Sequence, residues 1–595
     1  MIAKDIFTFI KDEENKYAQG IQINNAWNWS MREHIEDRSI YKNSQIRGNK
    51  NKGTINEVPV KNIMRPILNL KYRAEDIDVK DIVLYIDDPA LYHLSFLVKK
   101  YHDDVYVLEN DLDTFFDKVK ESKIDLGGGL AKNIGIGKPE YVPLESIAFA
   151  HQKDMLNAPI GILHEYSPSD LKEFEKKGWG SKEHGATVTV DDLIRIYSNG
   201  KGDLPGPEIK VYEVHGVMPQ SWLDDKITDS IEYTRQFQLV SFYKDDKGER
   251  QGLIIYRQKE PKNTFRLAKT EDIFNRSLGW GGIEELMEPQ IWTNYCGIIK
   301  KDFLDSASKT IIATDDPTMS AKHPRGLKDM QNLEFLELQS GTTAKQIDTY
   351  PRNIALFNQD IDEWMAHAQR LGSATDPMLG ESPTAGTPFR LQERVVMEGK
   401  GIHEYRRGQF AKWIEGIYRD GILPDIVNKI TSGTTFLSEL SLEELQYVAD
   451  NVAARAGEEK KKQMVLAGKN PKQIEIDSFI EENKKEFLKG GNKRFIKILA
   501  GELKKFTLKV KVNVAGKQKN LLEMTDKLSN VFRTIAANPT ILQIPTMAKL
   551  FNRIIENSNL EPMDFSGLTE QINKITQPKE QVNKQTQPMQ PATAQ

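Results

Sequence analysis

Three stretches of the chain repeat their apolar positions every three or four residues, which is the period of one face of an α-helix. The first, from Ile283 to about Lys309, has apolar side chains at Ile283, Met287, Ile291, Tyr295 and Ile298. The second has them at Ile354, Phe357, Ile361, Trp364, Ala368 and Leu371. The third, from about Phe389 to Arg419, has them at Val396, Ile402, Tyr405, Trp413 and Ile417. Each stretch predicts a helix roughly 30–45 Å long.

Two such helices in antiparallel order would project from their domain as a stalk. Their apolar stripes must be buried against other residues, and one chain offers little surface that could cover them. Neighbouring copies arranged in a ring would supply that cover. The pattern therefore predicts self-assembly.

From about Val58 to Thr270 the pattern alternates between helical and strand-like segments. Residues 111–122 are typical of a helix. Three segments rich in aromatic and β-branched residues indicate strands: Tyr212–Val217, Phe237–Tyr243 and Leu253–Tyr256. The run Lys244-Asp245-Asp246-Lys247-Gly248 predicts a hairpin turn between the last two. We expect an α+β unit.

The two ends of the chain are more polar. Residues 1–57 read as an anchoring segment, because Trp27 and Trp29 lie two positions apart. Residues 436–500 are helical and lysine-rich, Lys509–Val514 alternates like a strand that could join a sheet, and Leu521–Asn557 is helical in pattern. Residues 566–595 are rich in Gln, Thr and Pro and carry too few apolar side chains to form a core, so we predict disorder there.

Composition narrows the class of protein. A chain of 595 residues predicts two to four core-bearing units, and 39% hydrophobic with 28% charged residues is typical of soluble globular proteins. No apolar run reaches the roughly 18 residues that span a bilayer, and the acidic start does not fit a signal peptide. Cys296 is the single cysteine, which excludes an internal disulfide and indicates a reducing compartment or a particle assembled in one.

The net charge of −4 lacks the basic excess of a tight DNA binder. This charge argues against a sequence-specific DNA binder. Mildly acidic cytoplasmic enzymes share it.

Motifs for covalent chemistry are incomplete. A phosphate loop over residues 127–139 fails, because Lys132 stands where a glycine is required and Pro139 follows Lys138; we expect turns flanking a strand. The histidines show no metal-ligand spacing, and Gly380–Thr384 lacks the closing glycine of a nucleophile elbow. We predict no catalytic, cofactor-binding or metal-binding residue.

A family resemblance begins at Gly279-Trp280-Gly281-Gly282-Ile283-Glu284-Glu285-Leu286, with Gln290 and Asn294 beyond it. This segment resembles the start of the first stem helix of tailed-phage portal proteins. The order that follows is similar to that family's order of stem helix, clip, stem helix, tunnel loop and long wing helix. Asn332–Leu338 resembles a clip strand, and Arg73–Ile77 and Tyr141–Phe149 are similar to family sequences upstream.

The resemblance implies an α+β portal-like protomer divided as follows: 1–57, N-terminal anchoring segment; 58–270, α+β wing; 271–309, first stem helix; 310–344, clip; 345–371, second stem helix; 372–388, tunnel loop; 389–430, long wing helix; 431–565, helical C-terminal crown; and 566–595, tail.

The resemblance also implies two functional regions. The residues that would line a DNA channel, in and beside the tunnel loop, are Met378, Leu379, Ser382, Thr384, Thr387, Arg390 and Arg394. Those that would dock partner proteins at the clip are Lys322, His323, Arg325 and Lys328. A flexible surface linker and an ordinary basic loop are the alternatives, and Arg406 and Arg407 could meet phosphates, a neighbouring copy or solvent.

The function that the resemblance implies is a ring, of twelve copies as in the family, at one capsid vertex. The ring would pass double-stranded DNA without sequence specificity and would contact the major capsid protein, a separate terminase and head–tail adaptors. It would lie in the virion after assembly in the host cytoplasm, with no cofactor, membrane or covalent chemistry. Another phage neck or tail component, or an enzyme without a recognisable motif, remains an alternative.

Overall fold

The computed structural model describes residues 2–23, 27–42, 61–79, 82–85, 92–135, 137–198, 208–223, 232–244, 250–307, 311–318, 338–347, 354–374, 376–379, 389–432, 442–470, 472–489, 509–512 and 533. Its α-helices are α1 (Ile2–Gln19), α2 (Met31–Lys42), α3 (Met64–Ala74), α4 (Tyr92–Tyr101), α5 (Val107–Asn110), α6 (Leu112–Leu126), α7 (Pro168–Glu175), α8 (Val190–Ser198), α9 (Gly282–Ala307), α10 (Ile354–Leu371), α11 (Asp376–Leu379), α12 (Phe389–Ile417), α13 (Leu423–Ser432), α14 (Leu442–Leu466) and α15 (Gln473–Lys489).

Its strands are β1 (Ile21–Ile23), β2 (Trp27–Trp29), β3 (Ile82–Tyr85), β4 (Gly128–Lys132), β5 (Glu140–Val142), β6 (Ile147–Phe149), β7 (Ile160–Tyr166), β8 (Ile209–Pro219), β9 (Tyr233–Lys244), β10 (Arg250–Lys259), β11 (Arg266–Lys269), β12 (Ile311–Thr314), β13 (Ala344–Ile347) and β14 (Lys509–Val512). The fold is α+β, as the sequence predicts.

The largest sheet is antiparallel, with the strand order β10-β9-β8-β7-β6. All three strands predicted from aromatic and β-branched runs lie in it. Strands β9 and β10 pair as a hairpin in which Lys244 faces Arg250, and the predicted turn between them lies outside the described residues. Val214, Val240 and Ile254 put their side chains into the core on one face of this sheet.

The N-terminal segment is more ordered than its polar composition predicts. Helix α1 places Ile6, Ile10 and Tyr17 in the same core as the large sheet, and the β1–β2 hairpin and α2 add Trp29 and Met31. The three apolar positions of α1 are spaced for one helix face. The charged residues between these positions make the segment look polar when only its composition is considered.

The glycine-rich segment after α6 forms β4, the middle strand of a sheet with the order β11-β4-β5. Lys132 at the end of β4 is bound through both carboxylate oxygens of Glu213, each at 2.9 Å. A turn-flanked strand is thus confirmed, and the lysine is engaged with a buried carboxylate.

A second core joins the middle of the chain to its C-terminal part. The predicted strand after residue 508 is present: β14 pairs antiparallel with β3. Helices α4, α6, α12, α13 and α14 contribute to the same cluster of buried side chains. Two π-helical segments, His102–Tyr106 and Tyr418–Ile422, meet there through a 2.7 Å hydrogen bond between His102 Nε2 and the Tyr418 hydroxyl.

Candidate assembly surface on the helical hairpin

Helices α9 and α10 form an antiparallel hairpin. Trp292 stacks on Trp364 with ring centroids 6.1 Å apart, and Phe303 packs on Phe357 with centroids 5.5 Å apart. Residues nearer the C-terminus of α9 therefore contact residues nearer the N-terminus of α10, so the two helices are antiparallel. Beyond the helices, β12 and β13 pair antiparallel and continue the hairpin.

Close backbone packing fixes the start of α9. A Cβ on Gly281 would lie 2.3 Å from the carbonyl oxygen of Asp125, and one on Gly279 would lie 2.3 Å from that of Glu271. Gly127 has a φ of +80° and accepts a hydrogen bond of 3.0 Å from the Gly279 amide. Any side chain at these positions would collide with main chain.

Two polar side chains of α9 tie the hairpin to the segment before α3. The Gln290 amide accepts from the Ile63 nitrogen at 2.9 Å and donates to the Lys61 carbonyl at 2.7 Å. Asn294 accepts from the Lys61 nitrogen at 3.0 Å. Gln290 is buried, so its side-chain amide depends on these main-chain partners.

The outer face of α9 is apolar and open. Ile291, Trp292, Tyr295 and Phe303 are 39%, 43%, 54% and 46% exposed. Elsewhere on the helix, Leu286 packs into the large core and Cys296 is buried beside α10. Helices α2, α3 and α6 also pack on α9, and Trp292 and Phe303 contact α10 yet remain 43% and 46% exposed. Apolar helix surface left open in this way is normally covered by a partner.

Helix α10 has the opposite character. Its predicted apolar stripe is confirmed at Ile361 and Ala368, which are buried, and is wrong at Leu371, which is 41% exposed. Its outward positions are mostly polar, with Asp362, Glu363, His367 and Arg370 exposed, and Leu356 is the large apolar exception among the described ones near its start. The two sides of the hairpin are therefore chemically different surfaces.

The stripe predicted for the third long helix is wrong at two positions. Ile402 and Tyr405 are exposed, whereas His403, Arg406 and Phe410 are buried. Helix α12 turns a mixed face inward because its buried side meets charged groups of α3 and α9 as well as apolar ones. A run of apolar positions alone could not reveal this.

Arg406 belongs to a buried ion network and does not face solvent. Its Nη2 lies 2.8 Å from Glu285 Oε1, and the other Glu285 oxygen accepts from Lys71. Deeper in the same region, Lys123 pairs with Glu75 at 2.8 Å, and both are buried. Burial lowers the pKa of Lys71 and of Lys123, and the paired carboxylates oppose that shift. These pairs join α3, α6, α9 and α12.

The predicted tunnel-loop residues are only partly described. Met378 and Leu379 lie in α11, are half-buried and pack against the large core. Ser382, Thr384 and Thr387 lie outside the described residues, and Arg390 and Arg394 lie in α12 with side chains that are not described. The channel role of these residues remains a prediction.

The predicted clip residues, Lys322, His323, Arg325 and Lys328, lie outside the described residues, as does nearly all of the predicted clip strand. The nearest described structure is the β12–β13 pair. Beside it, Asp316 is buried and accepts hydrogen bonds from the nitrogens of Thr318 and Gln339, each at 2.8 Å. This carboxylate closes the base of the tip.

The described residues contain no group of three or more His, Cys, Asp or Glu side chains placed to hold a metal ion. Within the same residues, no helix is long and apolar enough to cross a membrane. The Cys296 thiol donates to Asp360 Oδ2 at 2.8 Å, and burial together with this carboxylate raises its pKa to about 11. It is therefore a poor nucleophile.

One polar cluster that the sequence did not reveal lies in the large sheet. His215 is buried between Glu213 and Glu260, with Nε2 2.7 Å from Glu213 Oε1. Burial opposes charging, but hydrogen bonds to both carboxylates raise the pKa of His215. His164 and Lys132 also bind Glu213. The alternation of charged and apolar residues along β8 is the only sequence signal of this cluster.

Trp292 and Phe303 were also missed, since a search for one apolar ladder passes over residues beside it. Apolar residues all around the helix are the signal that finds them.

No protein-family model matches this chain, and no curated protein matches it. Among solved structures it is similar to a chain in the neck of an empty gene transfer agent (GTA) particle computed with C6 symmetry, at a TM-score of 0.29 and 9% identity, over 74% of this chain and 94% of that chain. It is similar to a chain in the virion of a native GTA particle, at 0.26 and 11%, over 69% and 89%. A chain in the neck of the native GTA particle computed with C12 symmetry gives 0.26 and 10%, over 69% and 89%. TM-scores of this size do not establish a shared fold.

Proposed function

We propose that this chain is a virion structural protein that assembles into a ring-shaped portal at one capsid vertex, and that the ring conducts double-stranded DNA during packaging and ejection. The sequence resemblance to tailed-phage portal proteins supplies the family. The order of α9, the β12–β13 tip, α10, the following loop and α12 is in keeping with it.

The observation that carries the assembly part is the open apolar face of α9. Four large side chains of α9, Ile291, Trp292, Tyr295 and Phe303, are 39–54% exposed, although Trp292 and Phe303 also contact α10. Aromatic residues concentrated in one patch are typical of protein interfaces. A neighbouring copy of the chain would cover this face, and no other protein would be needed.

The two sides of the hairpin differ, and this supports a ring over a two-fold dimer. If the apolar face of α9 meets a different surface of the next copy, the contact is heterologous, and repeated heterologous contacts close into a ring when the rotation permits. We propose twelve copies because the resembling family has that number.

The remaining roles follow from the same proposal. The loop at 372–388 would face the DNA channel, the tip at 310–344 would dock a terminase and later the head–tail adaptors, and the wing would meet the major capsid protein. The net charge of −4 suits a channel that holds DNA weakly. No catalytic residue is assigned.

The test is assembly of the double variant Ile291→Glu/Tyr295→Glu, which leaves the Trp292–Trp364 stack in place. We expect the unaltered protein to sediment as a large oligomer and to give rings with a central hole in negative-stain images. The variant should stay folded but monomeric, since two charges now occupy the open face. The matched control is Leu108→Glu on α5, where the native leucine is 75% exposed and ring formation should persist.

If the unaltered protein is a compact monomer at micromolar concentration and no rings are seen, the proposal is wrong. Rings formed equally well by the Ile291/Tyr295 variant would show that α9 does not carry assembly.

A further inference from the structure

Helices α14 and α15 form a second antiparallel hairpin. Gly457 packs against Ile480, since a Cβ there would lie 2.5 Å from Ile480 Cγ1, and Lys460 Nζ lies 3.6 Å from the centre of the Phe479 ring. Lys484 pairs with Asp450 nearer the base. These contacts hold the two helices in one register.

The base of this hairpin is anchored, and its tip is not. Val448, Ala449 and Val452 of α14 are buried in the core that also contains α4. From Val452 to Leu466 the helix continues for about 20 Å at 1.5 Å per residue, with α15 packed along it. The tip therefore stands well away from the core.

The tip combines positive charge with bare aliphatic side chains. Residues 460–474 contain five lysines and no Asp or Glu, and Lys461, Lys462, Lys469 and Lys472 are exposed. Val465, Leu466 and Ile474 are 59%, 88% and 80% exposed. Exposed aliphatic residues among exposed lysines fit a partner that is acidic and partly apolar.

The outer face of α15 has the complementary character. It forms a shallow groove lined by Ile474, Asp477, Ser478, Glu481, Glu482, Lys485, Glu486 and Lys489. Four of these side chains are carboxylates, and the exposed Leu488 lies at the same end as Lys489. Acidic and apolar groups thus occur together along α15, from Asp477, five residues after Lys472, to the far end of the helix.

We propose that the basic tip of one copy docks on the acidic outer face of α15 in a second copy. The tip lysines at 461–472 and the carboxylates at 477–486 form different surfaces that share only Ile474 at their border. The contact is therefore heterologous, and each copy can donate one surface and accept another. Nucleic acid is disfavoured as the occupant, because single-strand binders add aromatic side chains to their basic groups, and the exposed tip residues are aliphatic. The inference rests on the proposed function only in requiring several copies.

A two-component disulfide experiment tests the contact. All proteins carry Cys296→Ser, one has Asn470→Cys at the tip, and the other has Ser478→Cys on the face. Co-expressed and mildly oxidised, the two should form a mixed cross-link seen by mass on a denaturing gel. Since each protein has one cysteine, no cross-link can be internal. A protein with Glu173→Cys on α7 replaces the Ser478→Cys partner as the control and should give at least tenfold less.

Charge reversal then tests the cause. The tip variant Lys461→Glu/Lys469→Glu/Lys472→Glu should lose the cross-link at least tenfold, and so should the face variant Asp477→Lys/Glu481→Lys/Glu482→Lys. Carrying both sets in every copy should restore it, because the signs are again opposite. Cross-linking of the native charges should also fall as salt rises from 0.05 to about 0.5 M.

Three results would overturn the inference. A mixed cross-link no stronger than the Glu173→Cys control would do so, and so would reversals without effect. The third result is an absent cross-link together with binding of the unaltered protein to a DNA duplex or to phosphatidylserine vesicles that the tip variant loses. The partner of the tip would then be a different anion. Rings without the cross-link overturn this contact and leave the portal proposal standing. A cross-link without rings leaves this contact standing and overturns the portal proposal.

Discussion

Trp292 on α9 and Trp364 on α10 stack with their ring planes 12° apart. Trp364 is half-buried and belongs to the stripe that the sequence predicts, whereas Trp292 is 43% exposed and does not. The stack links the inner face of the hairpin to the open outer face. A change at Trp364 should therefore affect both folding and assembly.

Trp364→Asp should lower the free energy of unfolding by about 3 kcal/mol, because it removes a large packed ring and places a charge beside Trp292. Chemical denaturation of the monomer measures the first effect, and sedimentation measures the loss of assembly. Leu356→Asp, at an exposed position of the same helix, should change stability by less than about 0.5 kcal/mol. Normal stability and normal rings in Trp364→Asp would contradict the packing described here.

Arg406→Met should destabilise the chain by about 3 kcal/mol. Glu285 would keep Lys71 but lose its second cationic partner, and a buried carboxylate with incomplete pairing is costly. Arg419→Met on the exposed side of the adjoining π-helical segment is the control, since 74% of the Arg419 side chain is accessible. Equal denaturation midpoints for the two variants would show that the network contributes little.

The His215 cluster predicts a pH-dependent stability. The pKa of His215 is raised above 6.5, so its contribution is complete below the unfolded-state pKa and is lost as the pH rises through the folded-state pKa. For Glu213, burial raises the pKa, but hydrogen bonds from His164 and His215 outweigh it and hold the pKa well below 4.5. That contribution is complete above pH 4.5 and is lost as the pH falls through the lowered pKa.

His215→Gln should therefore cost most stability near pH 5.5 and less near pH 9, by about 2 kcal/mol or more at the maximum. Urea denaturation across this range measures the difference from the unaltered protein. The exposed His367→Gln on α10 serves as the control. A cost that is constant with pH would show that His215 is neutral in the folded protein.

Shortening the loop after α11 tests the channel role. Met378 and Leu379 pack on the core, so a deletion of residues 380–385 spares them. We expect normal rings and an unchanged thermal midpoint, with less DNA per particle because the channel loses contact with the sliding duplex. Met378→Ser/Leu379→Ser should instead lower the thermal midpoint. Full heads from the ring-forming deletion would remove the channel role.

The sequence determined the elements whose residues repeat at one period. Helices α9, α10 and α12 and strands β8, β9, β10 and β14 follow from local spacing, because a helix or strand with one buried face records that face in the chain. The glycines before α9 and the side chains of Gln290 and Asn294 were visible as a motif, but the sequence did not show which contacts require them. Gly281, Gln290 and Asn294 contact residues more than a hundred positions away, and Gly279 packs on the main chain of Glu271.

Only the tertiary structure decided which faces are covered. Ile402 and Tyr405 look like core and are exposed, while Arg406 looks like surface and is buried against Glu285. A charge can be buried only where partners of opposite charge converge on it from other elements. The charged residues of this network besides Arg406, which are Lys71, Glu75, Lys123 and Glu285, come from three elements. The apolar side of α9 that remains open is likewise a property of the folded chain. It depends on where α10 packs and on which part of α9 the described residues leave uncovered.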